Sequence, residues 1–198
     1  MTATIHIGPL QSQHRLQLEE IVRATGVFNE DEVGVALEVF DETLGSALWA
    51  VGTTAPTVHG PQPTADDEPT ADYEFIGAFD GDSLIGYACF GATPSTDRTY
   101  DLYWIAVHPS AQRSGAGSAL MSEVERRLEE RRARLVVIET SSRDEYASTR
   151  RFYEKRRYEE AARLRDYYAP GDDRIVLSRR LIGSNDPGGN AAARPLSA

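Results

Sequence analysis

The sequence predicts an α/β domain built on a mixed, mostly antiparallel central sheet with flanking helices. Three observations carry that expectation. First, residues 102–107 and 135–138 are short apolar runs, and between them Ala116, Leu120, Val124 and Leu128 fall on one helical stripe. Strand, helix, strand is a right-handed crossover unit, so these two strands should be parallel. Second, the strand-like runs 73–79 and 83–90 flank Asp80-Gly81-Asp82, a hairpin turn signal. Third, 158–165 and 174–181 flank Ala169-Pro170-Gly171-Asp172 and read as a closing antiparallel pair.

In chain order, residues 2–7 alternate weakly and suit a first strand, closed by Gly8-Pro9. Ser12 is placed to cap a helix carrying Leu16, Leu18, Ile21 and Val22, which Gly26 ends. Asn29 followed by Glu32 reads as a capping-box variant, opening a helix with Val33, Leu37 and Phe40 or Leu44 on one side and Gly45 as its stop. Residues 52–72 hold four prolines, small polar residues and acids, so they bury little and read as a flexible, solvated insertion. Cys89 lies within the second hairpin strand with no basic partner nearby in sequence, which favours core packing over a reactive thiol. The run 102–107 is almost continuously apolar, as in a strand buried on both faces, and Pro109 ends it. A helix follows from Ser114 with Gly115 and Gly117 in its first turn, and a further helix is expected over 146–155. The expected organisation is one domain over 1–182 and a disordered tail over 183–198.

Composition narrows the function classes. The 198 residues suffice for one domain with a sizeable core. Lysine and arginine number 21 against 31 aspartates and glutamates, a formal net charge of −10. That balance argues against nucleic acid and anionic membranes as partners. A single cysteine excludes an internal disulfide framework and makes a reducing cytoplasm the default location. No apolar run reaches the length of a membrane span.

The segment that points to chemistry is the junction between the 102–107 strand and the helix after it. Glycine is a poor helix former, and its presence at a helix start indicates that something approaches the backbone closely. The first-turn N–H groups lack intrahelical partners and sit at the positive end of the helix dipole, which suits an anion. The segment therefore reads as a phosphate cradle. Three cradle types compete. A Walker A loop needs a lysine after its last glycine, and Gly117 is followed by Ser118 and Ala119. A dinucleotide fingerprint has Gly115-x-Gly117 and an acid, Glu139, about 20 residues on. Its third glycine position is Leu120, however, and the link from Val107 to Gly115 is long.

The third type fits best. Gln112-Arg113-Ser114-Gly115-Ala116-Gly117 resembles the Q/R-x-x-G-x-G/A signature of the GCN5-related N-acetyltransferases, the GNAT family. The segment Thr149-Arg150-Arg151-Phe152-Tyr153-Glu154-Lys155 resembles a second family motif. Two departures stand out. Arg113 occupies a position where relatives commonly carry glycine, and Arg157-Tyr158 replaces the usual Gly-Phe.

The resemblance implies an acyl-CoA N-acyltransferase fold, its parallel strands splayed just past the cradle, with acetyl-CoA as co-substrate. It implies that the cradle from Gln112 through Arg113, Ser114, Gly115, Ala116 and Gly117 to Ser118 holds the pyrophosphate. The backbone of Ile105, Ala106 and Val107 would pair with the pantetheine arm and polarise the thioester carbonyl. Tyr153 matches the tyrosine that many relatives use to protonate the CoA thiolate, with packing against the acyl-CoA as the alternative. Asp101 sits six residues before Val107, where several relatives place a general base, and it competes with the reading of a strand-end aspartate. Glu139 is the second candidate base. Tyr103 shares the Asp101 side of the strand by two-residue alternation. His108 flanks the cradle. The expected partner is a small-molecule amine, with a homodimer left open. The expected activity is transfer of acetyl to that amine; the alternative is a fold relative that binds acyl-CoA without transfer.

Overall fold

The computed structural model describes residues 5–49 and 73–181. Its strands are β1 (Ile5–Pro9), β2 (Glu74–Asp80), β3 (Ser83–Ala92), β4 (Thr99–Val107), β5 (Leu135–Ser141), β6 (Glu159–Ala169) and β7 (Asp172–Arg180). Its helices are α1 (Arg15–Thr25), α2 (Glu30–Trp49), α3 (Ala116–Glu130) and α4 (Ala147–Lys155). All seven strands form one sheet in the order β1-β2-β3-β4-β5-β7-β6. Only β4 and β5 pair in parallel; the other neighbours are antiparallel. The expected insertion over 52–72 and tail over 183–198 lie outside the described residues.

A hydrophobic cluster fills each side of the sheet. On one side Leu120, Met121, Val124 and Leu128 of α3 and Tyr153 of α4 pack on Ile76, Phe90, Leu102, Val136 and Ile138. On the other, Leu18, Ile21 and Val22 of α1 and Val33, Leu37 and Phe40 of α2 pack on Phe75, Tyr87 and Cys89. The α3 stripe predicted from sequence is therefore a core face. Cys89 is buried, and burial pushes its thiol pKa up, which leaves it an unreactive packing group.

Several boundaries differ from expectation for local reasons. β1 runs on through Pro9, because an edge strand tolerates a residue with no ladder N–H. Ser12 does not cap α1; it opens a 3₁₀ turn, Ser12–His14, held by a reciprocal box between Gln11 and His14. Leu16 faces out at 74% exposure, so the apolar stripe of α1 is Leu18, Ile21 and Val22. Gly26 ends α1 in the left-handed conformation, as predicted. The Asn29–Glu32 box is present in both directions, at 2.8 and 2.9 Å. Gly45 does not stop α2, which continues to Trp49; one interior glycine costs only about 1 kcal/mol. β4 starts at Thr99 and is buried at Thr99, Leu102 and Ala106 and half-buried elsewhere, rather than being closed on both faces. α3 begins at Ala116, with Gly115 as its N-cap, and Tyr146 likewise stands just before α4.

Four arginines, at 98, 113, 132 and 157, have positive φ between 55° and 65°. A residue with a Cβ pays roughly 1–2 kcal/mol for that conformation. Arg113 and Arg157, the two positions noted above as departures from the motifs that the sequence resembles, are both in this set. Arg157 is exposed and its side chain has no partner among the described residues. Arg157→Gly is therefore expected to stabilise the fold by about 1 kcal/mol after glycine's own entropy cost. Thermal unfolding should show a rise of roughly 2–4 °C. A fall would mean that the arginine makes a stabilising contact.

Candidate active site

The sheet opens between its two parallel strands. β4 and β5 pair from Thr99↔Leu135 to Leu102↔Ile138 and no further, although β4 continues to Val107 and β5 to Ser141. The cause lies on the other edge of β4. Cys89 of β3 faces Trp104 and Phe90 faces Leu102, so Tyr103 is skipped. Tyr103 and Trp104, though consecutive, both pack against the α1/α2 cluster. That is a β-bulge, which bends the strand and increases its local twist. It falls immediately past the last β4–β5 pair, turning the end of β4 away from β5. The sequence carries no mark of it.

The splay leaves backbone donors exposed. The His108 N–H donates to Ile85 O at 2.9 Å, toward β3. Alternation along an antiparallel strand then turns Ala106 and Trp104 toward β3 and Ile105 and Val107 toward the splay. Of the predicted trio, Ile105 and Val107 present polar backbone there, whereas the main-chain groups of Ala106 are engaged with β3.

Beyond Val107, a 3₁₀ turn, Pro109–Ala111, leads into the cradle. His108 uses its Nδ1 locally, 2.7 Å from Ser110 Oγ and 3.3 Å from Ser110 N. Arg113 and Gly115 have φ of 64° and 98°, the kind of backbone that gathers N–H groups into an anion-binding concavity. A Cβ built on Gly115 would meet nothing within 4 Å, so the protein itself leaves that space open. The Ala116 N–H makes a 3.3 Å bond to Ser114 Oγ. The N–H groups of Arg113, Gly115, Gly117 and Ser118 have no partner among the described residues. The side chains of Gln112 and Arg113 are exposed. Free N–H groups at the start of a 15-residue helix match the demands of a pyrophosphate.

A profile of the acetyltransferase (GNAT) family matches residues 44–158. A structure assigned to GNAT acetyltransferases, from Desulfovibrio desulfuricans subsp., is 35% identical over 90% of this chain and 100% of that one, with a TM-score of 0.76. The chain belongs to the GNAT acetyltransferase family. More distant structures share the fold. The ribosomal-protein-S18-alanine N-acetyltransferase from Escherichia coli is 19% identical, with 92% and 98% of the two chains covered and a TM-score of 0.65. An aminoglycoside 6'-N-acetyltransferase complexed with coenzyme A is 16% identical, with 91% and 99% covered and a TM-score of 0.63. Among curated proteins no relative was found by sequence. The protein is thus a GNAT enzyme that uses acetyl-CoA. The family profile stops at residue 158, while β6 and β7 complete the same sheet.

In this GNAT domain Tyr153 lies on the α3/α4 side, 3% exposed, its ring against Phe152 and Tyr158 at centroid distances of 5.3 and 5.9 Å. Its hydroxyl makes no hydrogen bond among the described residues. Burial pushes the phenol pKa up, so the group stays a neutral donor. Asp101 sits on the opposite, α1/α2 side of β4, the side of Tyr103, as alternation predicts. Asp101 Oδ2 accepts a 2.7 Å bond from the Thr93 hydroxyl. Glu139, on β5, is ion-paired with Arg174, whose guanidinium also donates to the Tyr167 hydroxyl at 3.0 Å. That pairing engages the Glu139 carboxylate. Arg174 is 35 residues from Glu139, and only the β5–β7 pairing brings them together.

Sequence reasoning passed over the polar lock at the end of β5. Ser141 Oγ donates to Asp172 Oδ1 at 2.5 Å and accepts from Arg143 N at 3.0 Å. Arg150 donates to the carbonyls of Ser141 and Arg143 at 2.7 and 2.8 Å. These bonds fix the lip of the splay. The Tyr146 hydroxyl donates to Val27 O at 3.0 Å, tying the lip to the α1–α2 turn. Asp172 lies 31 residues beyond Ser141, and nothing in the local sequence marks the two as partners.

Proposed function

We infer that the enzyme transfers acetyl from acetyl-CoA directly to the primary amine of a small-molecule or amino-acid-like acceptor. The observation that carries this is the β4–β5 splay, with free backbone donors at its floor, the cradle at its end and a neutral tyrosine beside it. The segment from Gln112 to Ser118 forms the pyrophosphate site, through the free N–H groups of Arg113, Gly115, Gly117 and Ser118. The Ile105 and Val107 N–H groups pair with the pantetheine arm, and one of them polarises the thioester carbonyl. The acceptor enters from the α1/α2 side, past Asp101 and Tyr103. The amine nitrogen bonds to the carbonyl carbon, and the C–S bond breaks as the intermediate collapses. Asp101, through a water, takes the proton that the amine loses. Tyr153 gives its proton to the departing thiolate and is reprotonated from solvent.

The net acidity of the chain favours cationic acceptors by steering. A lone buried thiol suits a reducing cytoplasm. Among the described residues no helix is long and apolar enough to cross a membrane. The test is release of the CoA thiol from acetyl-CoA with a panel of small amines, amino acids and peptides. Turnover on amino acids or small amines supports the reading; turnover on peptides alone reassigns the acceptor.

Asp101→Asn is expected to lose most activity at low pH, where the amine is mainly protonated. It should recover partly as pH rises toward the amine's own pKa, about 7.7–8.0 for an α-amine and 10.4 for a lysine-type one. The rising limb of kcat/KM should therefore lie at higher pH in the variant. Activity near wild type at every pH would make the Asp101–Thr93 pair structural.

A further inference from the structure

Arg156, immediately after α4, holds the cradle helix by its side chain and Tyr153 by its main chain. Its N–H donates to the Tyr153 carbonyl at 2.9 Å. Its guanidinium donates to Ser118 O at 2.6 Å, Ser122 Oγ at 3.1 Å and Glu125 Oε2 at 3.2 Å, along one face of α3. The guanidinium also lies over the Phe152 ring, 5.3 Å from its centroid. Arg156 and Glu125 are mostly buried, with side chains 17% and 12% exposed, and Arg179 holds the other Glu125 oxygen at 2.8 Å. A planar fork so enclosed has little freedom to drift. Ser118 is the residue whose N–H lies in the cradle and whose carbonyl Arg156 grips.

We propose that Arg156 is a positioning residue that sets the separation between the pyrophosphate cradle and Tyr153. This rests on the site assignment given above. The two anchors act on opposite ends of one donor molecule, the phosphates and the sulfur. Their spacing must match the pantetheine arm for the proton donor to meet the thiolate, and small misplacements carry large rate costs. Nothing in the α4 sequence alone fixes that spacing. The bonds across to α3 do.

The experiment compares two donors. Acetyl-CoA uses both anchors, whereas S-acetylpantetheine lacks the pyrophosphate and uses only the splay and Tyr153. Arg156→Lys keeps a cation beside Glu125, but one ammonium cannot replace the planar fork that sets Nη1 on Glu125 and Nη2 on Ser118 O and Ser122 Oγ. The expected result is a loss of about tenfold in kcat/KM with acetyl-CoA and no loss with S-acetylpantetheine. Ser122→Ala removes one of the three contacts and is the second variant if Arg156→Lys does not fold. It should show a smaller loss, again confined to acetyl-CoA. An equal loss with both donors, or none with either, overturns the positioning role and leaves the site assignment standing. A wild type whose kcat/KM is the same for both donors removes the cradle from the site and the proposal with it.

Discussion

Tyr153→Phe should lower kcat by roughly 10²–10⁴-fold, the range of a lost general acid, while acetyl-CoA binds as before. The ring is buried between Phe152 and Tyr158, and phenylalanine preserves both contacts. The hydroxyl has no hydrogen-bond partner among the described residues, so its removal strands no buried group and should leave stability unchanged. Burial raises the phenol pKa above its ordinary value near 10. A raised pKa keeps the donor form present as pH rises, so the wild type should show no falling limb from this group below about pH 10. Steady-state kinetics and calorimetric titration with acetyl-CoA check both parts. Rate and affinity falling together would make Tyr153 a binding contact.

Gly115→Val should weaken acetyl-CoA binding by at least about 100-fold, close to 3 kcal/mol. Helix propensity predicts that any replacement of a glycine here helps the fold, but the structure reverses that sign. Gly115 is the N-cap, with φ 98°, not a residue of the helix interior. A side chain there is strained by roughly 1–3 kcal/mol, so thermal unfolding should move down by a few degrees. The binding loss is separate. A Cβ meets no protein atom within 4 Å, so the side chain enters the open space beside the free N–H groups, where a ligand would lie. Gly115→Ala supplies the control, with similar backbone strain and less intrusion. Calorimetry showing unchanged affinity in Gly115→Val would put the phosphates elsewhere.

Local signals in the sequence read well where one segment decides the outcome. The α3 stripe, the Asn29–Glu32 box, the Gly26 stop and the Asp80-Gly81-Asp82 turn all stand where the pattern put them. What escaped was set between segments. The Tyr103 bulge depends on how β3 and β4 align, and nothing in DLYWIAV distinguishes it from a regular strand. The Glu139–Arg174 pair and the Ser141–Asp172 bond depend on β7 inserting between β5 and β6. Leu16 fitted the apolar pattern of α1, but the helix is rotated so that this residue faces out. Arg113 and Arg157 look like simple departures from family glycines. Their positive φ shows that the backbone at both positions takes the conformation that glycine adopts most readily.

The central claim is that the cradle and the splay grip one donor with Tyr153 at its sulfur. A crystal structure of the enzyme with acetyl-CoA tests it most directly. The account predicts pyrophosphate oxygens on the N–H groups of Arg113, Gly115, Gly117 and Ser118. It predicts the pantetheine arm along Ile105 and Val107, and the Tyr153 hydroxyl within hydrogen-bond distance of the sulfur. A pyrophosphate bound away from the start of α3, or a sulfur out of reach of Tyr153, would contradict it.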